Sequence, residues 1–343
     1  MSTAIAAVLL IAIATYAVFG GADFGAGFWD LTAGGPERGA APRRLVEQSI
    51  GPVWEANHVW LIFILVVTWS AFPAAFQSIT LTMFVPLAIA AFGIVLRGAS
   101  FAFRKTMVTV RFRRVFGGAF ALSSVLVPFC FGAIAGGIAS GHVPAGGRAG
   151  DPVGSWLNPA SIVTGVLAVV LAAYVAAVYL VREARLADDA VLAAYFRRRA
   201  VVTAVVAAVV AAIGLVVLRS SASSVFDRLL SWALPWVVLS VLSGFGALVL
   251  LIRDAPRGAR VLAVVAVASV IASWGFAQWP YLLPESLTVS AAAAPTGTLT
   301  ALLVAVGLLV LLVLPGFVLL YVLDQRRLLP EEGVEDAAEP EAG

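Results

Sequence analysis

Apolar residues in this chain neither alternate nor keep to one helical face; they run on. Stretches such as "AIAAVLLIAIATYAVF", "VWLIFILVVTW" and "AVVTAVVAAVVAAIGLVVL" are hydrophobic all round, the pattern of a helix surrounded by protein or lipid on every side. Nine such runs are read as spans, at about 3–24, 53–74, 80–102, 115–138, 159–181, 200–218, 229–252, 260–279 and 298–323. Each is long enough to cross a hydrocarbon core of about 30 Å at about 1.5 Å rise per residue. Helices satisfy their own backbone groups at that depth, so the predicted fold is all-α. It is a polytopic integral membrane protein with nine transmembrane helices forming one domain over 1–329.

Composition fits this reading. Hydrophobic residues make up 62% of the 343 and charged residues 12%, against roughly 45–50% and 25% in soluble domains. The tail at 330–343, "PEEGVEDAAEPEAG", is acidic, lacks large apolar residues and is expected to be disordered. The first 20 residues resemble a secretory signal in their apolar core, but no positive stretch precedes it, so they are read as a retained helix.

A net charge of +3 and a pI near 9.3 raise the question of an acidic partner. Nearly all the basic residues, however, are arginines in short loops, which argues against a nucleic-acid partner. One set of alternate loops carries Arg38, Arg43 and Arg44, then Arg104, Lys105, Arg111, Arg113 and Arg114. The next loops in that set carry Arg182, Arg185, Arg197, Arg198 and Arg199, then Arg253, Arg257 and Arg260, with Arg326 and Arg327 in the tail. The opposite side holds Arg148, Arg219 and Arg228, and Arg97 falls inside a span. The positive-inside rule then sets the N-terminus outside and the C-terminus in the cytoplasm. The outer connection "GHVPAGGRAGDPVGSWLNP" reads as an irregular loop. In "WPYLLPESLTVSAAAAPTGT", Trp279 and Tyr281 suit the headgroup level, and Pro280 and Pro284 stop the eighth helix.

Ionisable groups at membrane depth are costly and mark internal contacts or proton paths. Asp23 lies at the inner end of span 1 in "YAVFGGADFGAGFWDL", with Asp30 nearer the interface. In "GPVWEANHVWLIF", Glu55 and His58 share a face of span 2, and Arg97 lies near the inner end of span 3. The alternating span directions bring Asp23, Glu55, His58 and Arg97 to the cytoplasmic third, where they can meet in one cluster. One reading is an ion pair of Arg97 with Asp23 or Glu55 that joins helices. The other is a proton path in which a carboxylate works beside an imidazole. The two are compatible, with Arg97 tuning the acid.

Little else in the sequence suggests chemistry. Cys130, the single cysteine, excludes a disulfide framework or cysteine-ligated cluster and is read as a buried apolar residue. Two histidines and three methionines are too few axial ligands for several haems. His58 alone reads as hydrogen-bonded structure before it reads as a metal or haem ligand, and His142 lies at an outer loop edge. No Walker A sequence, zinc-spaced histidine pair or phosphate-binding glycine loop is present, and no metal site is expected.

These residues carry a family resemblance. "GPVWEANHVWLI" resembles the "P-x-W-[DE]-x-N-x-V-W-L" signature of subunit II of cytochrome bd-type quinol oxidases. "YAVFGGADFGAGFWDL" is similar to that family's first-helix segment, "LRGASFAFR" to its arginine-glycine stretch, and "WGFAQWPYLLPESLTVSAAAAPTGTL" to its segment between the eighth and ninth helices. The resemblance implies a bacterial plasma-membrane oxidase that takes electrons from quinol and reduces dioxygen to water. It implies that subunit I holds haem b and haem d, while subunit II binds no cofactor and supports assembly. Two four-helix bundles plus one peripheral helix are implied as well, as is a contribution from subunit II to cytoplasmic proton uptake.

Residue by residue, the resemblance makes Glu55 the principal proton carrier. Trp54, Asn57 and Trp60 fall on the signature's other fixed positions, Asp23 on the first-helix aspartate and Arg97 on the third-helix arginine. The expected proton pathway is Glu55, His58 and Asp23, with Arg97, Asn57, Trp54 and Trp60 as a structural polar brace. The chain departs from the family at Gly20, where many members carry a further aspartate, and at His58, where glutamate or glutamine is common. Expected partners are haem-bearing subunit I, small accessory membrane subunits, quinol and lipid. Two alternatives stay open: a secondary transporter, and a scaffold subunit that has lost proton transport. The gathering of charges in spans 1 to 3, without a counterpart in spans 5 to 7, argues against the transporter.

Overall fold

The computed structural model describes residues 1–35, 37–50, 54–106 and 110–325, with all their side chains except those at 50, 54–56, 101–106, 110–116, 314, 317, 320, 321, 324 and 325. The acidic tail at 330–343 and the side chains of Trp54 and Glu55 therefore lie outside the described residues.

The architecture is mostly helical. α1 (Ser2–Thr32) is the hub, packing against α3 (Trp54–Ala71), α6 (Val110–Ala139), α7 (Pro159–Leu186) and α11 (Ala259–Gln278). Around that hub α5 (Phe84–Thr106) lies on α6, α8 (Ala190–Ser221) on α7, and α10 (Leu234–Ile252) on α11. Among the described residues seven helices are long and apolar enough to cross a membrane, or eight if the bent pair α3 and α4 (Pro73–Thr82) forms one span. The apolar part of α5, Phe84–Ser100, is a shorter element.

Small residues set the closest helix approaches, as expected where lipid tails remove any hydrophobic drive between helices. A Cβ on Gly25 of α1 would run into the backbone carbonyl of Ala172 on α7. Gly132 and Gly136, one turn apart on α6, let α7 approach so nearly that a Cβ on either would strike α7 backbone. Across this contact Thr164 Oγ1 donates to Gly132 O at 2.8 Å.

Several boundaries differ from the sequence expectation for local reasons. The span expected at 53–74 ends at Ala71, and the chain turns by 119° into α4 where a loop was expected. Pro73 lacks an amide hydrogen and clashes with the preceding turn, so it starts a helix and cannot continue one. The freed carbonyl of Ala71 accepts from Ala294 N at 2.8 Å. The span expected from 229 begins at Leu234, after the short helix α9 (Ser223–Leu229) and a turn. α8 extends beyond its expected 200–218 at both ends; its N-terminus is capped by Asp189, whose side chain accepts from Leu192 N at 2.8 Å. The last run divides into α12 (Thr296–Leu308), a π-helical turn (Leu309–Val313) and α13 (Leu314–Gln325).

Three further features were not anticipated. The Arg43-Arg44 loop contains an amphipathic helix, α2 (Ala40–Ile50), whose Leu45 and Val46 are buried against Trp29 and α7. A two-residue-deep antiparallel hairpin, β1 (Tyr281–Leu283) and β2 (Leu287–Thr288), qualifies the all-α reading. The Gly-rich loop between α6 and α7 is pinned to α4, with Gly147 N donating to Ser78 Oγ at 3.1 Å and Gly150 N to Thr82 Oγ1 at 3.0 Å. Within that loop Asp151 accepts from Val153 N and Gly154 N, at 2.8 and 2.7 Å. These bonds hold its carboxyl below the usual carboxylate range, chiefly through Gly154. Cys130 is buried in an apolar cluster, as expected.

Candidate functional site

The polar centre of the molecule is built on α1, α5 and α6. Asp23 of α1 and Arg97 of α5 are 3% and 1% exposed, an ion pair taken almost wholly out of solvent. Arg97 Nη2 lies 2.6 Å from Asp23 Oδ1 and donates also to the Asp23 backbone carbonyl at 2.8 Å. Its Nη1 donates to Ser124 Oγ of α6, which in turn donates to Phe120 O at 2.6 Å. The guanidinium lies 5.1 Å from the Phe24 ring centre and 4.2 Å from that of Phe120. Such an arrangement gives a weakly hydrated planar cation both hydrogen bonds and π faces.

Local sequence makes this packing possible. Gly27 lies one turn beyond Asp23, and a Cβ there would collide with Ser124 and the Arg97 guanidinium. Nearer the helix end a second pair closes α1 onto α2, with Asp30 Oδ1 3.0 Å from Arg43 Nε.

Residues of α3 join the same cluster. Asn57 is buried, and the His58 ring is centred 6.3 Å from the Phe24 ring, so one phenyl group touches both His58 and Arg97. Trp60 packs with Leu61 and Ile64 against the cluster that contains Phe24, Val127 and Cys130. A groove of about 1390 Å³ runs along α1 between α7, α10 and α11. Its polar end is formed by Asp23, Ser49, Asn57 and Arg260, and its far end by Gln278 and Trp279.

The structure thus joins Asp23 to Arg97, brings His58 to their shared phenyl wall and sets Asn57 and Asp23 on one groove. Sequence reasoning missed Ser124, Phe120 and Phe24 as the cradle of the arginine. A serine pair inside the apolar run "FALSSVLV" was the available signal for Ser124; nothing in a single sequence marks which phenylalanines face the cation. Of the two Asp23 carboxylate oxygens, Oδ2 is buried without a hydrogen-bond partner among the described residues. An acid of this kind, held by one oxygen and open at the other, can accept and pass a proton. Among the described residues no group of three His, Cys, Asp or Glu side chains converges as a metal site.

The fold and site define a multi-helix membrane protein organised around a buried acid–arginine pair. Comparison with known proteins makes the class specific. The family profile of cytochrome bd terminal oxidase subunit II matches residues 1–324, and the chain belongs to that family. It is a subunit of an oxidoreductase complex of the cytochrome bd type. A cytochrome bd ubiquinol oxidase subunit 2 of Bacillus subtilis (strain 168) is 29% identical over 114 residues, a stretch covering 33% of each protein. A putative cytochrome bd menaquinol oxidase subunit II of the same organism is 22% identical over 339 residues, covering 92% of this chain and 94% of that one. A chain in the structure of bd oxidase from Geobacillus thermodenitrificans superimposes with a TM-score of 0.80 at 25% identity, over 93% of this chain and 97% of that one.

Proposed function

We propose that this chain is the haem-free subunit II of a terminal oxidase that oxidises quinol and reduces dioxygen to water. In this reading haem b and haem d reside in a partner subunit I, which this chain helps to assemble. The chain adds a route for cytoplasmic protons that enters at Glu55 and continues through His58 and Asp23. Arg97, with Asn57, Trp54 and Trp60, braces the route and holds Asp23 in place. The observation that carries the reading is Asp23 itself: Oδ1 is tied to Arg97, Oδ2 has no partner among the described residues, and the residue lines a groove that also holds Asn57. Nothing in the fold or the comparisons favours a transporter.

Nine crossings in two four-helix bundles plus a peripheral last helix, forming one transmembrane domain, fit the hub arrangement around α1. An N-out, C-in orientation in a bacterial plasma membrane is supported by the pairing of arginine-bearing turns. Arg185 and Arg197, flanking the α7–α8 turn, reach Asp254 in the α10–α11 turn at 2.6 and 3.1 Å, so these two basic loops lie on one side. Small accessory subunits, quinol and lipid complete the proposed set of partners.

The test is Glu55→Leu in the assembled complex. Quinol-driven oxygen consumption is expected to fall about tenfold or more while haem absorbance per complex stays unchanged. Full activity would remove Glu55 from the route, and loss of haem would make its role structural.

A further inference from the structure

One buried hydroxyl beside this cluster has no role in the route above. Tyr16 lies on α1 two helical turns before Asp23, on the same face. It is 9% exposed, and its hydroxyl, like Asp23 Oδ2, is buried without a hydrogen-bond partner among the described residues. Burying a phenol hydroxyl unpaired is costly, and such groups in native proteins call for an explanation in function or an ordered water.

The direction of the side chain supplies one. The ring leans along the helix over Gly20: a Cβ at that position would sit 2.9 Å from Tyr16 Cε2 and 3.3 Å from Cζ. The phenol end therefore lies beside residue 20, about 4.5 Å of helical rise short of Asp23. A water hydrogen-bonded to polar groups on both sides can link two such groups along a helix. Gly20 is what makes room; any larger residue there would push the ring away from the acid. The remaining surroundings are apolar: Phe131 meets the ring edge-on at 6.0 Å, and Phe24, Ala90, Val127 and Cys130 complete the cluster. Among the described residues, the charged groups that act on the phenol are Asp23 and Arg97, and the thiol of Cys130 shares its cluster.

We propose that the Tyr16 hydroxyl is a proton relay, carrying protons from Asp23 one step deeper along α1 toward the middle of the membrane. A water hydrogen-bonded to Asp23 Oδ2 delivers a proton to a lone pair of the phenol oxygen. The phenol releases its own proton to a water on its far side and then reorients. One O–H bond forms, one breaks, no electron changes hands and the phenol is regenerated neutral. The inference deepens the proton-uptake reading and rests on it.

The test is Tyr16→Phe in the intact oxidase, with Glu55→Gln measured beside it. The relay predicts that Tyr16→Phe lowers oxygen consumption about tenfold and changes the H2O/D2O rate ratio, while haem absorbance per complex and thermal stability stay at wild-type values. Tyr16→His, which restores a transferable proton, should regain part of the rate. Wild-type turnover and isotope ratio in Tyr16→Phe would overturn the relay. If Glu55→Gln is impaired while Tyr16→Phe is not, the relay alone falls; if both are fully active, the uptake reading falls with it. Should Tyr16→Phe fail to assemble, fluorotyrosine at position 16 keeps the packing and alters proton affinity. An unchanged rate and isotope ratio there would equally overturn the proposal.

Discussion

Two Asp–Arg pairs in this molecule have the same N···O distance, 2.6 Å, and opposite surroundings. Asp23–Arg97 has side chains 2% exposed on both partners, whereas Arg185–Asp254 joins side chains 31% and 57% exposed. At the surface, water and salt screen the attraction, and holding two long side chains costs entropy. Such a pair contributes about 0–1 kcal/mol. In the interior both charges have lost their hydration, so their attraction mainly repays that cost. The buried pair is therefore defined by what happens when it is broken, and the exposed pair by how it steers two turns together.

Four changes probe this contrast, in descending order of effect. Asp23→Ala leaves a buried, uncompensated guanidinium and should destabilise the subunit by about 3–5 kcal/mol, read as a lower melting temperature or loss of the assembled complex. Asp23→Leu with Arg97→Met removes both charges and should recover most of that stability while leaving oxygen consumption impaired. If the double variant is as unstable as Asp23→Ala, lost packing rather than an orphaned charge explains the first result. Asp254→Ala breaks contacts to both Arg185 and Arg197 and should cost about 1 kcal/mol or less, shrinking further in high salt; a larger, salt-independent loss would erase the contrast. Asp151→Asn should have the smallest effect. The Asp151 carboxyl is held below its ordinary value by backbone donors, so its contribution is present above the ordinary carboxylate pKa and fades as pH falls through the lower, folded value. The melting temperatures of Asp151→Asn and the parent should therefore converge in acid.

Other elements show how far local pattern reaches. The long apolar runs announced α1, α7, α8 and α11 because lipid-facing helices need only length and hydrophobicity. The bend at Phe72 was legible in principle from Pro73, yet its 119° angle and the Ala294 amide that meets the Ala71 carbonyl there were not. α2 was hidden because its arginines carried the orientation signal, while its burial depends on Trp29 and α7 being in place. In the candidate site, Asp23 and Arg97 stood out as charges in apolar runs. Ser124, Phe24, Phe120 and Tyr16 did not, since hydroxyl and aromatic residues are ordinary in membrane helices.

The sequence by itself determined that this is a membrane protein of many helices, with acids, a histidine and an arginine gathered in its first three spans. Hydrophobic length and charge placement are properties of the chain, whatever it packs against. The tertiary structure alone decided that Arg97 meets Asp23, that among the described residues one oxygen of Asp23 is engaged, and that the Tyr16 ring lies over Gly20. Those facts depend on how closely α1, α5 and α6 approach, and that distance is set by small residues such as Gly27 meeting side chains from far along the chain.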